Sequence, residues 1–324
     1  MRTRFILWSC SLWVLLGFCV VAQAASNMAS VCSWGYQLQN ADPATLAASP
    51  YDLIVMDYSR DGTDGSAYTP AEIALIKSSG KKVLCYFSIG EAEDYRFYWQ
   101  STWKTNPPTW LGPENPDWGG NYKVRYWEDD WFNTVLLPYV QRIVAAGFDG
   151  VYLDIIDAYW YWSDDPDGPG ELDLTTAANR MITLVGQISQ TLKASIPSAL
   201  IFPQNGEAII DDADEAQTAI YLTTIDGLGM EDLFYHSTQE DRTYRLSLLP
   251  QYTSAGVGIF NIEYIDSTAY TTYRQTIEDQ AVKIIPYASH PDRSLDSLSG
   301  FVPDGCQDTD ALWVIGNQFC ILIQ

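Results

Sequence analysis

Histidine is almost missing from this chain: His236 and His290 are the only two in 324 residues. With so few, and with no C-x-x-C anywhere, a zinc centre is not expected. A serine-hydrolase triad is equally poorly served. There is no G-x-S-x-G, and neither histidine has an obvious nucleophile. No Gly-rich phosphate loop follows the first apolar run, which argues against a nucleotide-binding sheet. Basic residues are scarce too, 18 Lys and Arg against 41 Asp and Glu, for a net charge of −23. Such a chain repels nucleic acid and anionic lipid and attracts a cationic ligand. After the first residues, no stretch reaches the roughly 18 apolar residues that a membrane span needs.

The exception is the start. Arg2 and Arg4 precede the apolar "FILWSCSLWVLLGFCVV", and "AQA" at Ala22 to Ala24 is a small-residue cleavage site. Residues 1–25 therefore read as a secretory signal peptide, and 26–324 as one barrel-sized domain, secreted or periplasmic and free of the membrane after cleavage. Loss of the two arginines leaves 16 basic against 41 acidic residues, or −25. Cys10 and Cys19 leave with the leader. Cys32, Cys85, Cys306 and Cys320 remain, and four cysteines allow three pairings. Cys85 lies in an apolar run and is expected as a buried thiol. Cys306 with Cys320 is the favoured bridge, and Cys32 with Cys85 the alternative.

Eight short apolar runs recur: "VCSWGYQL", "YDLIVMDYS", "KKVLCYFSIGE", "GVYLDIID", "ALIFPQNGE", "IDGLGMEDLFY", "GVGIFNIEYI" and "VKIIPYAS". Most are apolar on both faces, the mark of buried parallel strands. Helical patterns fall between them, at "TPAEIALIKSSG", "FNTVLLPYVQRIVAAG", "TTAANRMITLVGQISQTLKASI" and, more weakly, "TAYTTYRQTIEDQAVK". This alternation predicts an α/β fold, a single-domain (β/α)₈ TIM barrel. The stretches after the third and fourth runs are too long and too aromatic for ordinary connections. Both follow strand ends, where barrel enzymes build active sites.

The fourth run, "GVYLDIID", carries Asp154 where a greasy strand residue would be expected. By strand alternation, Tyr152 and Asp154 face into the barrel, and Val151 and Leu153 face out. Strand-end positions also hold Asp57, Glu91, Glu207, Glu231 and Glu263. Each singly could be a cap or a rim charge, but six at one topological level suggest a site. Two facing carboxylates are the minimum apparatus of a glycosidase. Trp34, Tyr36, Tyr58, Tyr86, Tyr159 and Trp160 stand beside the acids as candidate sugar platforms or core.

Taken together, "YFSIGEAEDYRFYW", "GFDGVYLDIIDAY", "PQNGE" and "GLGMEDLFY" resemble glycoside hydrolase family 114. These are the endo-α-1,4-polygalactosaminidases and bacterial relatives once labelled cysteinyl-tRNA-synthetase-related. The resemblance implies a (β/α)₈ barrel with a catalytic Asp ending the fourth strand and a catalytic Glu ending the sixth. Here those positions match Asp154, as nucleophile, and Glu231, as acid/base. Glu207 is the rival acid. Tyr36, Asp57, Tyr58, Tyr86, Glu91, Tyr159, Asn205, Glu207 and Glu263 are then the expected substrate contacts. No metal and no cofactor is implied. The expected partner is a polysaccharide, cationic if deacetylated, and the expected state is a monomer. Two alternatives stay open. One is a barrel that binds sugar without cleaving it. The other is a carboxylate-metal hydrolase in which Asp57, Asp154 and Glu231 hold Mg²⁺ or Ca²⁺.

Overall fold

The structure, a computed structural model, describes Met28 and residues 31–301. The expected leader, residues 1–25, and the expected Cys306–Cys320 bridge lie outside the described residues. Cys32 is disulfide-bonded and Cys85 is a free buried thiol, so the two are not bonded to each other.

All eight apolar runs form strands. They are Trp34–Tyr36, Leu53–Met56, Lys82–Ser88, Gly150–Asp154, Leu200–Pro203, Gly227–Glu231, Gly258–Tyr264 and Ile284–Ser289. The first five pair in parallel and in chain order. So do the last three. The two sets join through a parallel bridge between Gln204 and Gly229. Where the eighth strand meets the first, the Trp34 indole donates to the Ile285 carbonyl at 3.0 Å, and Trp34 packs against Tyr287. The architecture is a (β/α)₈-type barrel whose last seam is held by side chains.

The barrel is filled by an aromatic layer. Tyr152 lies against Trp34 and Tyr36, and Phe260 packs on Trp34 and Phe202. This layer explains the glycines of the sixth strand. A Cβ on Gly229 would stand 1.9 Å from the Tyr152 hydroxyl, and one on Gly227 would stand 2.3 Å from the Phe202 ring. Gly227, Gly229 and Glu231 share a face, so the face that makes room for the core aromatics carries the acid at its end.

A helix follows each of the first seven strands. Pro70–Lys77 starts as its sequence predicts, with Pro70 in the first turn and a reciprocal capping box between Thr69 and Glu72. Leu137–Ala146 ends on Gly147 in the left-handed region, φ 89°. Asp173 caps Leu174–Ser195 by accepting from the Thr176 N–H. Among the described residues no helix is long and apolar enough to cross a membrane.

The long connection after the third strand has structure of its own. It folds into a small antiparallel sheet in which Asn121–Val124 pairs with both Glu91–Glu93 and Leu111–Glu114. The insertion is pinned to the barrel by Arg96, whose guanidinium bridges Asp57, 2.7 Å away at the end of the second strand, and Glu93, also 2.7 Å away. All three side chains are buried.

Candidate active site

A cleft of about 600 Å³ opens over the carboxyl ends of the strands, within the usual range for a ligand site. Seven of the predicted site residues line it: Tyr36, Asp57, Tyr86, Glu91, Asp154, Asn205 and Glu231.

Asp154 faces inward, as strand alternation requires. The Tyr86 hydroxyl, one strand over, donates to Asp154 Oδ2 at 2.5 Å. The backbone N–H of Ile155 donates to Oδ1 at 2.8 Å. Burial, and then the charge of Glu231, push the Asp154 carboxyl up to about 8, against the opposing pull of these two donors. At neutral pH Asp154 therefore carries a proton.

Glu231 is surrounded differently. The Gln204 amide donates to Oε2, and the Asn205 amide donates to the same oxygen at 3.1 Å. The Tyr264 hydroxyl donates to Oε1. Gln204 is itself fixed by Tyr36, whose hydroxyl donates to its carbonyl oxygen at 3.0 Å. Three donors thus fix the position of one carboxylate.

The backbone turns sharply beside these groups. Ile155, Asn205 and Asp232 all have positive φ, of 61°, 57° and 56°. Asn and Asp tolerate this region, but a β-branched residue does so only under strain. Strain of this kind concentrates at functional sites. Here it lets the chain leave each strand while Asp154 and Glu231 stay aimed into the cleft.

Four predicted contacts lie outside the cleft lining. Glu207 is buried in an ion pair with Arg245, and its carbonyl accepts from the Tyr252 hydroxyl at 2.9 Å. The left-handed Asn205 and Gly206 have by then carried the chain out of the barrel mouth. Glu263 sits on the opposite face of its strand from Tyr264. It accepts the N–H of Phe234 at 2.8 Å and of Tyr235 at 3.3 Å. Tyr58 packs edge-on against Phe97 and Tyr139. The Tyr159 hydroxyl donates to Asp212 at 2.7 Å. All four side chains have partners within the protein and lie outside the cleft lining. Trp34 belongs to the barrel core, and Trp160 is exposed away from the lining.

Sequence reading missed Gln204 and Tyr264. Gln204 stands inside the quoted "PQNGE", and Tyr264 one residue beyond the chosen Glu263. The signal that finds Tyr264 is its parity with Phe260, which already faces inward.

The carboxylates of the cleft fall into two kinds. Asp57 and Glu93 share Arg96, and Glu91 pairs with Lys123 at 2.7 Å. Among the described residues, no Lys or Arg forms a salt bridge with Asp154, Asp157 or Glu231. The mouth is thus net acidic around Asp154 and Glu231. The donors on Asp57, Asp154 and Glu231 also weigh against a metal held by these three. A cation would have to displace Arg96, Tyr86, Gln204, Asn205 and Tyr264, which satisfy them already.

A family model described as "Glycoside-hydrolase family GH114" matches residues 19–306. An uncharacterized protein of Thermotoga maritima is 38% identical over 290 residues, 86% of each chain. An uncharacterized protein of Methanocaldococcus jannaschii is 38% identical over 277 residues, covering 82% of this chain and 78% of that one. Among solved structures, Aspergillus fumigatus Ega3 in complex with galactosamine superposes with a TM-score of 0.60 at 19% identity, over 83% of this chain and 95% of that one. The glycoside hydrolase domain of PelA from Pseudomonas aeruginosa gives 0.61 at 14% identity, over 82% and 97%. At such identities the two superpositions show the shared fold.

Proposed function

Because the chain belongs to glycoside hydrolase family GH114, and so is a glycoside hydrolase, we propose that it cleaves an amino-sugar polysaccharide such as α-1,4-linked polygalactosamine. In this reading it acts with retention of configuration, outside the cytoplasm, on a chain that enters the acidic cleft. The observation that carries the reading is geometric: Asp154 and Glu231 end neighbouring parts of the barrel and both line one cleft, close enough for the charge of Glu231 to raise the buried Asp154 carboxyl. A glycosidase pair needs one acid and one base, and two carboxyls in one cleft can supply both.

The steps follow from it. An Asp154 carboxylate oxygen attacks the anomeric carbon while the bond from that carbon to the leaving sugar's oxygen breaks. The Glu231 carboxyl gives its proton to that oxygen. Water then attacks the same carbon and Glu231 takes its proton, which frees Asp154. Burial and the charge of Glu231 place a proton on Asp154 at neutral pH. An ammonium group beside Asp154 would favour its ionised form and move the proton towards Glu231. Tyr86, Asn205, Gln204 and Tyr264 hold the two carboxyls in place. Tyr36, Asp57 and Glu91 form the floor and wall against which a sugar would lie.

The substrate class rests on two supports. The acidic mouth suits a polycation, and a protein of the same fold has been solved with galactosamine. Secretion rests on the leader-like start of the sequence. A second reading exchanges the roles, with Asp154 as acid and Glu231 as nucleophile. The raised Asp154 carboxyl favours it. The basic test is release of reducing ends from deacetylated α-1,4-polygalactosamine, with a chelator control. Release that survives the chelator is expected. No release from any galactosamine polymer would refute the substrate, and loss of activity in chelator would favour the carboxylate-metal alternative.

A further inference from the structure

The segment between the third strand and the helix at Leu137 contains six tryptophans: Trp99, Trp103, Trp110, Trp118, Trp127 and Trp131. Five of them pack ring against ring. Trp99 meets Trp103 at 5.2 Å, Trp103 meets Trp110 at 4.9 Å, and Trp110 meets Trp131 at 4.8 Å. Trp127 meets Trp162 at 5.4 Å. Among the described residues Trp118 packs on no other ring. It is 63% exposed, and it lines the same cleft as Asp154 and Glu231.

The turn that carries Trp118 is not loose. The Asn115 N–H donates to the Asn121 carbonyl at 2.7 Å, and the Asp94 N–H donates to the Gly120 carbonyl at 2.8 Å. The Gly120 N–H donates to Glu114 at 2.7 Å. The Asn115 amide donates at 2.8 Å to Glu91, which is fully buried in the cleft wall. A rigid turn thus holds one large indole in water, although burial of such an apolar ring is favourable. Its neighbour on the lining, Tyr95, is also partly exposed, and its hydroxyl is tied to Glu93.

We infer that Trp118 is a stacking platform for a sugar unit of the bound polymer other than the one attacked by Asp154. The apolar face of a pyranose ring would lie on the indole. A protonated amine on that sugar would add a cation–π attraction. The inference rests on the glycosidase reading above and extends it: a platform on the insertion, with the reacting pair on the barrel, gives the cleft more than one sugar subsite and suits attack within a chain.

The test measures binding of a galactosamine oligosaccharide to the mature Asp154→Asn protein by calorimetry. Trp118→Ala in that background should weaken binding about tenfold, within the span of aromatic and cation–π contributions, and Trp118→Phe should recover most of the loss. In the active enzyme, Trp118→Ala should lower kcat/KM on the polymer to a similar degree, mainly through KM, with an unchanged circular dichroism spectrum. Affinity within twofold of the parent, in an enzyme that still cleaves the polymer, overturns the platform and leaves the glycosidase reading standing. If the parent neither binds nor cleaves the polymer, both fall.

Discussion

Asn205 holds Glu231 at two points: its Oδ1 accepts the Glu231 backbone N–H at 2.9 Å, and its Nδ2 donates to the Glu231 carboxylate at 3.1 Å. One side chain thus fixes both the end of the sixth strand and the acid it carries. Asn205→Ala should lower kcat on the order of 100-fold, the cost expected when a catalytic group drifts by about 1 Å. Thermal unfolding should shift only modestly, since Asn205 is only partly buried. Activity within threefold of the parent would show that Gln204 and Tyr264 suffice.

The proton on Asp154 predicts the pH profile. Above about 8 the Asp154 carboxyl ionises, and the proton it holds in the cleft is lost. The kcat/KM profile should therefore fall as pH rises through about 8. Stability follows the same group. An unfolded Asp titrates near 3.9, so between about 4 and 8 the native state holds a proton that the unfolded chain has released. The stability contributed is full below about 4 and is lost as pH rises through about 8. Asp154→Asn should flatten this part of the curve in denaturant titrations at pH 5, 7 and 9. A parent whose rate stays level to pH 10 would contradict the proton on Asp154.

Arg96 anchors the insertion by neutralising Asp57 and Glu93 inside the protein. Arg96→Met leaves two buried carboxylates without their cation. It should cost about 3–5 kcal/mol in chemical denaturation, and activity should fall with it because the insertion forms one wall of the cleft. A loss below 1 kcal/mol would mean that the two acids take up protons or water at little cost.

Much of this was legible before any coordinates. The eight strand positions follow from two-sided apolar runs bounded by Gly and polar residues, a pattern that few other arrangements produce. Asp154 was legible because alternation through Tyr152 settles its face. Parity and its limits also explain why two of the expected contacts lie outside the cleft lining. Glu263 and Tyr264 are adjacent and so face opposite ways, and only the inward packing of Phe260 decides which one meets the site. Glu207 lies past the left-handed Asn205 and Gly206, where alternation no longer applies. The antiparallel sheet was not legible. Its strands "EAE", "LGPE" and "NYKV" are short and polar, and Arg96 and the tryptophan cluster hold them rather than their own propensity.

Glu231 and Glu207 should now separate cleanly. Glu231→Gln should lose at least 100-fold in kcat on polymer, yet keep more activity on aryl glycosides with good leaving groups, which need no protonation. Glu207→Gln breaks the pair with Arg245 and should lower stability while the parent's pH profile is kept. If Glu207→Gln is inactive but fully stable, the acid is Glu207.

The most direct measurement is peptide mass mapping of the Glu231→Gln enzyme, acid-quenched during turnover of a galactosaminyl fluoride, whose leaving group departs without an acid. The reading predicts that the glycosyl-enzyme accumulates, because its hydrolysis lacks a base, and that the peptide carrying Asp154 gains the mass of one galactosaminyl unit. A product of inverted configuration, formed with no adduct on Asp154, would contradict it.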